Sequence, residues 1–259
     1  MGALAGKCAL VTGGTKGLGA ELALGLARAG ADVAVLGRDG QAGEAVCRQI
    51  GAIGRRNLAI QADVMDQEQM DAAATQVRAA FGAVDILVCA AGVGSPRRPI
   101  WELESADFRA CFDVNVLGVM LALRAVMPLM IEQKFGRVVA IGGTYGHKGV
   151  GLASLYASSK WAVRGLIRSV ALEGGPHGVT ANVVAPGGIE GPRLTREFQA
   201  SAERDGLTYE AVLERFTRRS ALNRLVTPDE VCAAVVHLAS DAGRNITGQD
   251  LIVDAGQII

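Results

Sequence analysis

The stretch "VTGGTKGLG", Val11–Gly19, ends a short apolar run and opens a helical pattern. Its glycines stand at positions 13, 17 and 19, a Gly-x3-Gly-x-Gly spacing. Such glycines let the chain turn tightly and let its backbone approach a pyrophosphate, whose charge is favoured at a helix N-terminus. A plain strand–helix turn also uses glycine. The place of this cluster, after a first strand and inside a βαβ pattern, points to a dinucleotide.

Outward from that turn the same rhythm repeats. "CALVTG", "ADVAVLG", "NLAIQADV", "VDILVCAAG", "GRVVAIGG" and "VTANVVAPG" have strand length and end in turn residues, and "DLIVDAG" closes the chain. Their hydrophobicity is continuous rather than alternating, as in strands covered on both faces. Helical patterns lie between them, such as Gly19–Ala29 and Met70–Phe81, with Gly30 and Gly82 as C-terminal stops. The expectation is a single-domain α/β fold over residues 1–259, a doubly wound parallel sheet of about seven strands with helices on both faces. The stretch 187–225 breaks the rhythm, being richer in charge and helical in flavour. It is expected to be a lid or substrate loop inserted near strand ends.

Composition narrows the function classes. The chain has 259 residues, half of them apolar, with 26 acidic and 26 basic residues, so no net field points to nucleic acid or a membrane surface. Lys7 interrupts the N-terminal segment before any secretory core forms, and no apolar run approaches the roughly 20 residues of a membrane helix. Cys8, Cys47, Cys89, Cys111 and Cys232 are scattered and read as buried thiols of a reducing, cytoplasmic protein. None of the three histidines has metal-ligand spacing, so no metal is expected.

The second strand ends "VAVLGRDG". NAD-selective sites usually carry a carboxylate there for the ribose 2′-hydroxyl; here Gly37 precedes Arg38. Arg38, together with Lys16 from the glycine loop, would bind a 2′-phosphate by charge-assisted hydrogen bonds. NADP(H) is therefore expected over NAD(H). Asp39 stands one position further on as a displaced NAD-type acid.

At the reacting end is "IGGTYGHKGVGLASLYASSK", Ile141–Lys160. Tyr156 and Lys160 are four residues apart and share a helix face. Tyrosine, with a reference pKa of about 10, is a poor base at neutral pH, and a nearby ammonium favours the phenolate.

With these pieces in place, the chain resembles the short-chain dehydrogenase/reductase family over essentially its full length. The matching motifs are "TGGTKGLG", "ADV" at 62–64, "CAAG" at 89–92, "DVNVLG" at 113–118, "YASSK" at 156–160 and "APGGI" at 185–189. The resemblance implies that Tyr156 is the general acid/base, that Lys160 holds the nicotinamide ribose and lowers the tyrosine pKa, and that Asn115 anchors a water in a proton relay. It implies phosphate contacts from Gly13, Thr15, Gly17, Leu18 and Gly19, and adenine contacts from Asp63 and Val64. It also implies backbone contacts at Ala90 and Gly92, and a nicotinamide wall of Pro186, Gly187 and Ile189. Lys16 and Arg38 match NADP-selecting positions.

Three departures stand out. Ala90 replaces a usual asparagine, and Gly191 replaces a usual threonine. Gly143 occupies the position of the family's catalytic serine. A preorganised oxyanion donor contributes about 10²–10³ in rate, so its loss calls for a substitute. Thr144 is the first candidate, provided Gly142 and Gly143 take positive φ and redirect it into the site. Tyr145, His147, Ser154 or the substrate itself are alternatives. Arg97, Arg98, His147, Lys148 and Arg193 lie on loops at strand C-termini, where converging cations suit an anionic substrate.

The expected activity is an NADP(H)-dependent interconversion of a secondary alcohol and a ketone. The alternatives are a diol or cyclic-alcohol dehydrogenase with substrate-assisted polarisation, and a catalytically weak NADP(H)-binding sensor. The long amphipathic segments Phe108–Gln133 and Tyr156–Glu173 suit a homodimer or homotetramer, an expectation that rests mainly on the resemblance.

Overall fold

The computed structural model describes residues 2–258. Seven strands form one wholly parallel sheet: β1 (Cys8–Thr12), β2 (Asp32–Gly37), β3 (Asn57–Gln61), β4 (Ile86–Cys89), β5 (Gly136–Ile141), β6 (Val179–Pro186) and β7 (Asp250–Val253). Their spatial order is β3-β2-β1-β4-β5-β6-β7, so the winding reverses between β1 and β4. The crevice outside the carboxyl ends of those two strands is where an open α/β sheet binds ligands.

Both faces are covered, which explains the unbroken apolar strands. Leu10 of β1 packs into one core with Met70, Val77, Val126 and Ile167, from the helices α3 (Gln67–Phe81), α5 (Gly118–Gln133) and α6 (Ser154–Gly174). Its neighbours Ala9 and Val11 point into the opposite core. That core holds Leu22, Ile50 and Val235 from α1 (Gly17–Arg28), α2 (Gly40–Ala52) and α9 (Pro228–Ala239). The helix limits follow local chemistry. Asp39 and Asp66 cap α2 and α3 by accepting from Ala42 N and Gln69 N, each at 3.0 Å, and Gly82 ends α3 in the left-handed region.

One expectation about apolar runs is corrected. The helix α4 (Ser105–Phe112), a π-helical turn at Asp113–Leu117 and α5 run on as one helix of 29 residues, whose most apolar window has a mean hydropathy of 2.0. By length and composition that is enough to cross a membrane. Here Val119, Leu121, Ala122, Leu123, Val126 and Met130 are instead spent against the sheet.

The charged stretch after β6 holds two helices, α7 (Pro192–Asp205) and α8 (Tyr209–Thr217), with a small core of Phe198, Ala202 and Val212 between them. Backbone bonds tie its ends together: Glu190 N donates to Val226 O at 2.8 Å and Val226 N to Gly188 O at 2.9 Å.

Candidate active site

The glycine turn is closed to side chains at Gly13 and Gly19, while Gly17 faces open space and is set by its φ of 54°. A Cβ on Gly13 would lie 2.6 Å from the Ala91 backbone, and one on Gly19 would lie 2.1 Å from Gly13 O. The first turn of α1 has no acidic residue and its N-cap, Lys16, makes no capping hydrogen bond. Uncapped N–H donors beside a bare backbone fit a pyrophosphate. Ala90 N is held by Thr12 O at 3.1 Å, and Gly92 is exposed beyond it.

At the end of β2 a Cβ on Gly37 would meet Thr15 Oγ1 at 2.7 Å, so an NAD-type carboxylate does not fit without displacing Thr15. Asp39, weighed as a displaced acid, is already used. Besides capping α2 it pairs with Lys16 Nζ at 2.7 Å, and this bond is the first cause holding its carboxyl below the usual range. Arg38 is exposed. Asp63 turns inward on its own loop, its Oδ1 accepting from Met65 N at 3.0 Å, and Val64 is buried against Gly118. Pro186, Gly187 and Ile189 line the loop leaving β6, where Gly187 N donates to Val253 O at 2.9 Å.

Tyr156 and Lys160 sit in the first two turns of α6, with Lys160 Nζ 5.6 Å from the tyrosine ring centroid and donating to Ile141 O at 3.0 Å. The electrostatics differ from expectation in one respect. Burial raises the Tyr156 pKa instead of lowering it, and Arg193 is the first group that opposes this rise. Burial also pushes Lys160 down to about 8, because a dry ammonium is costly. In the cofactor-free protein at neutral pH the tyrosine is therefore a phenol.

The displaced lysine pKa has a stability consequence. Between about 8 in the folded chain and 10.5 in the unfolded one, the unfolded chain binds the extra proton, so the contribution of Lys160 to stability rises with pH. Tyr156 and the buried cysteines, held protonated, pull the other way, and apart from Cys111, which Lys160 influences, they do so alike in a Lys160→Met variant. Urea denaturation without cofactor is expected to show the wild-type-minus-variant difference growing by about 2 kcal/mol from about pH 7.5 to about pH 9.5. A flat difference would assign an ordinary ammonium to position 160.

Asn115 is buried in the π-helical turn. Its Oδ1 accepts from Val93 N at 2.8 Å, and its Nδ2 donates to Val93 O and Ser159 Oγ, both at 3.0 Å. The side chain thus clamps the loop after β4. Ser159, fully buried, also donates to Tyr156 O at 2.8 Å. Its part in holding Asn115 was missed in the sequence; a hydroxyl three residues after the tyrosine was the available signal.

Gly143 is not a serine site with the side chain removed. Gly142 N still bonds to Val184 O at 2.8 Å and keeps a negative φ, whereas Gly143 takes φ 157°. A Cβ there would have room, its nearest neighbour being Pro186 O at 3.8 Å, but the backbone disfavours any L side chain by about 1–3 kcal/mol. The turn then enters a 3₁₀ segment, Thr144–Gly146. Thr144 is buried and its hydroxyl has no hydrogen-bond partner among the described residues. Tyr145 sets its ring edge-on to Tyr156, with centroids 5.7 Å apart. His147 leaves the site: burial and then Arg164 lower its pKa, and its Nε2 is enclosed without a partner. Ser154 Oγ is likewise buried and unpartnered.

Of the loop cations, Arg193 in the first turn of α7 reaches the site, while Arg97 and Arg98 are exposed without ion-pair partners among the described residues. Lys148 is half-buried. Among the described residues no cluster of ligating side chains would hold a metal ion.

Comparison with known proteins agrees with this layout. The short chain dehydrogenase family pattern matches residues 7–202. Cis-4-hydroxycyclohexanecarboxylate dehydrogenase of Sinomonas cyclohexanicum is 33% identical, the alignment covering 98% of this chain and 97% of that one. The 2-dehydro-3-deoxy-L-rhamnonate dehydrogenase (NAD(+)) of Sphingomonas sp. (strain SKA58) is also 33% identical, over 93% and 90% of the two chains. The crystal structure of levodione reductase superposes with a TM-score of 0.91 at 30% identity, covering 98% of both chains.

Proposed function

The chain belongs to the short-chain dehydrogenase/reductase family of oxidoreductases acting on CH–OH groups, and on that premise we propose that it interconverts a secondary alcohol and a ketone with NADP(H). The observation that carries this reading is the pairing of Tyr156 and buried Lys160 beside the loop clamped by Asn115. The bound nicotinamide supplies the hydride for carbonyl reduction and takes it up in alcohol oxidation. Tyr156 Oη would give the proton to the carbonyl oxygen in reduction and remove the hydroxyl proton in oxidation. Lys160 would hold the nicotinamide ribose, and its ammonium, once stabilised there, would draw Tyr156 toward the phenolate. Because the Asn115 side chain is spent on Val93 and Ser159, its part in proton supply falls to its backbone carbonyl.

In place of serine, Tyr145, whose ring lies edge-on to Tyr156, is the proposed donor to the substrate oxygen. Thr144, the first candidate from sequence, is buried and is the second choice. The similarity to a hydroxycyclohexanecarboxylate dehydrogenase favours cyclic substrates for the first trial. Exposed Met120, Trp161 and Leu172 on α5 and α6 support a homodimer or homotetramer through those helices. Five free, buried cysteines support a reducing, cytoplasmic setting.

For the cofactor, the exclusion of a carboxylate at position 37 and the capping duty of Asp39 support NADP(H), whereas one relative carries NAD(+) in its name. Arg38→Ala is expected to raise the NADPH dissociation constant about 10–100-fold, the effect of a charge-assisted bond, with little change for NADH. Equal effects on both would remove Arg38 from 2′-phosphate recognition. The activity itself is tested by following NADPH and NADH oxidation over neutral ketones, keto acids and cyclic diketones. Turnover of any carbonyl supports the assignment. Tight NADPH binding with no turnover across the panel would favour a nucleotide-binding sensor.

A further inference from the structure

Arg193 occupies an unusual place. Its Nε bonds to Glu197 Oε1 at 3.0 Å, one turn along α7, while neither Nη has a partner among the described residues. The free end extends across the site mouth: an atom at the Cβ position of Gly94 would lie 3.6 Å from Arg193 Nη2. Gly94 directly follows Val93, the residue clamped by Asn115. The guanidinium thus bridges the helix after β6 and the loop after β4, with its Nη edge turned toward the wall of the catalytic pocket. It is also close enough to Tyr156 and Lys160 to act on both electrostatically.

We infer that Arg193 holds a carboxylate of the substrate, so that the alcohols this protein oxidises are hydroxy acids. This deepens the proposed alcohol–ketone activity and rests on it. An arginine whose Nε is already anchored has its two Nη groups pre-set in one plane, a geometry that receives a planar carboxylate bidentately. Glu197 plays two parts. It orients the guanidinium, and by cancelling part of its charge it repels acids that fail to reach the Nη edge. The loop after β4 contributes a wall without side chains at Gly92, beside Lys160, and at Gly94, beside Arg193. Arg97, Arg98 and Lys148 have no such fixed orientation and His147 faces Arg164, so one cation of the five expected from sequence carries the recognition.

The test uses the full chain with NADP⁺ and hydroxy acids whose carboxylate lies two to four carbons from the carbinol, each paired with its uncharged carboxamide. The ratio of kcat/KM for acid over carboxamide cancels any effect on Tyr156 that both substrates share. Wild type is expected to prefer the acid. Arg193→Ala is expected to lower the ratio about 10–100-fold, mainly through KM, as loss of a charge-assisted contact does. Arg193→Lys restores only part of it, and Glu197→Gln lowers KM for the acid. Equal losses on acid and carboxamide would make Arg193 structural and overturn the inference. A loss located instead in the NADPH dissociation constant, read by fluorescence titration, would assign the arginine to a cofactor phosphate and also overturn it. If no alcohol is oxidised at all, the proposed activity fails separately. Calorimetric binding of acid against carboxamide to the NADPH complex still decides Arg193.

Discussion

Tyr156→Phe is expected to lower kcat/KM about 10²–10⁴-fold in both directions while leaving the fold and NADPH affinity nearly intact. The size follows from the loss of a positioned acid/base. The selectivity follows from the geometry: the ring keeps its edge contact with Tyr145, and the hydroxyl makes no hydrogen bond to the described residues that removal would leave unpaired. Steady-state rates with a responsive ketone or alcohol, beside thermal melting and NADPH fluorescence titration, separate these effects. A loss of less than tenfold would pass the proton to another group. Because burial holds Tyr156 as a phenol in the free protein, carbonyl reduction is expected to be flat through neutral pH and to fall on the alkaline side, whereas alcohol oxidation rises with pH.

The second large effect concerns the missing serine. Tyr145→Phe is expected to reduce turnover about 10²–10³-fold, the typical loss for one oxyanion donor. Thr144→Ala is expected to cost far less. Both substitutions keep most of the local packing, so melting temperatures control for damage to the turn. The opposite ranking would return the role to Thr144, and two mild effects would leave polarisation to the substrate itself. Putting serine back at position 143 is a poorer test, since φ 157° disfavours any L side chain there and the turn must first rearrange.

Several of these features were readable from the amino-acid order because they depend on local chemistry. Glycine spacing after a first strand reports a turn that excludes side chains, and the structure shows why: Gly13 and Gly19 touch backbone. Continuous apolar runs report strands covered on both faces. The positions of Tyr156 and Lys160 follow from helical spacing alone. Element limits moved by a few residues where capping decided them, as at Asp66, which starts α3 three residues before Met70.

Other features belong to the tertiary structure, because they arise between segments far apart in the chain. Spacing brings Lys160 near Tyr156, but only the surrounding core buries the lysine and half-buries the tyrosine, and desolvation reverses the expected tyrosine shift and depresses the lysine. Sequence alone presents Asn115 as a relay residue; packing against Val93 and Ser159, 22 and 44 residues away, makes its side chain a clamp. Five loop cations look alike on paper, and chain topology sets Arg193 across from Gly94. The sequence by itself determined the sheet and its glycine turn, through periodicity and local turn chemistry, and set Tyr156 and Lys160 on one helix face. Burial and long-range contact, which no local pattern encodes, decided the electrostatics of that pair, the edge-on approach of Tyr145 to Tyr156, and the place of Arg193 opposite Gly94.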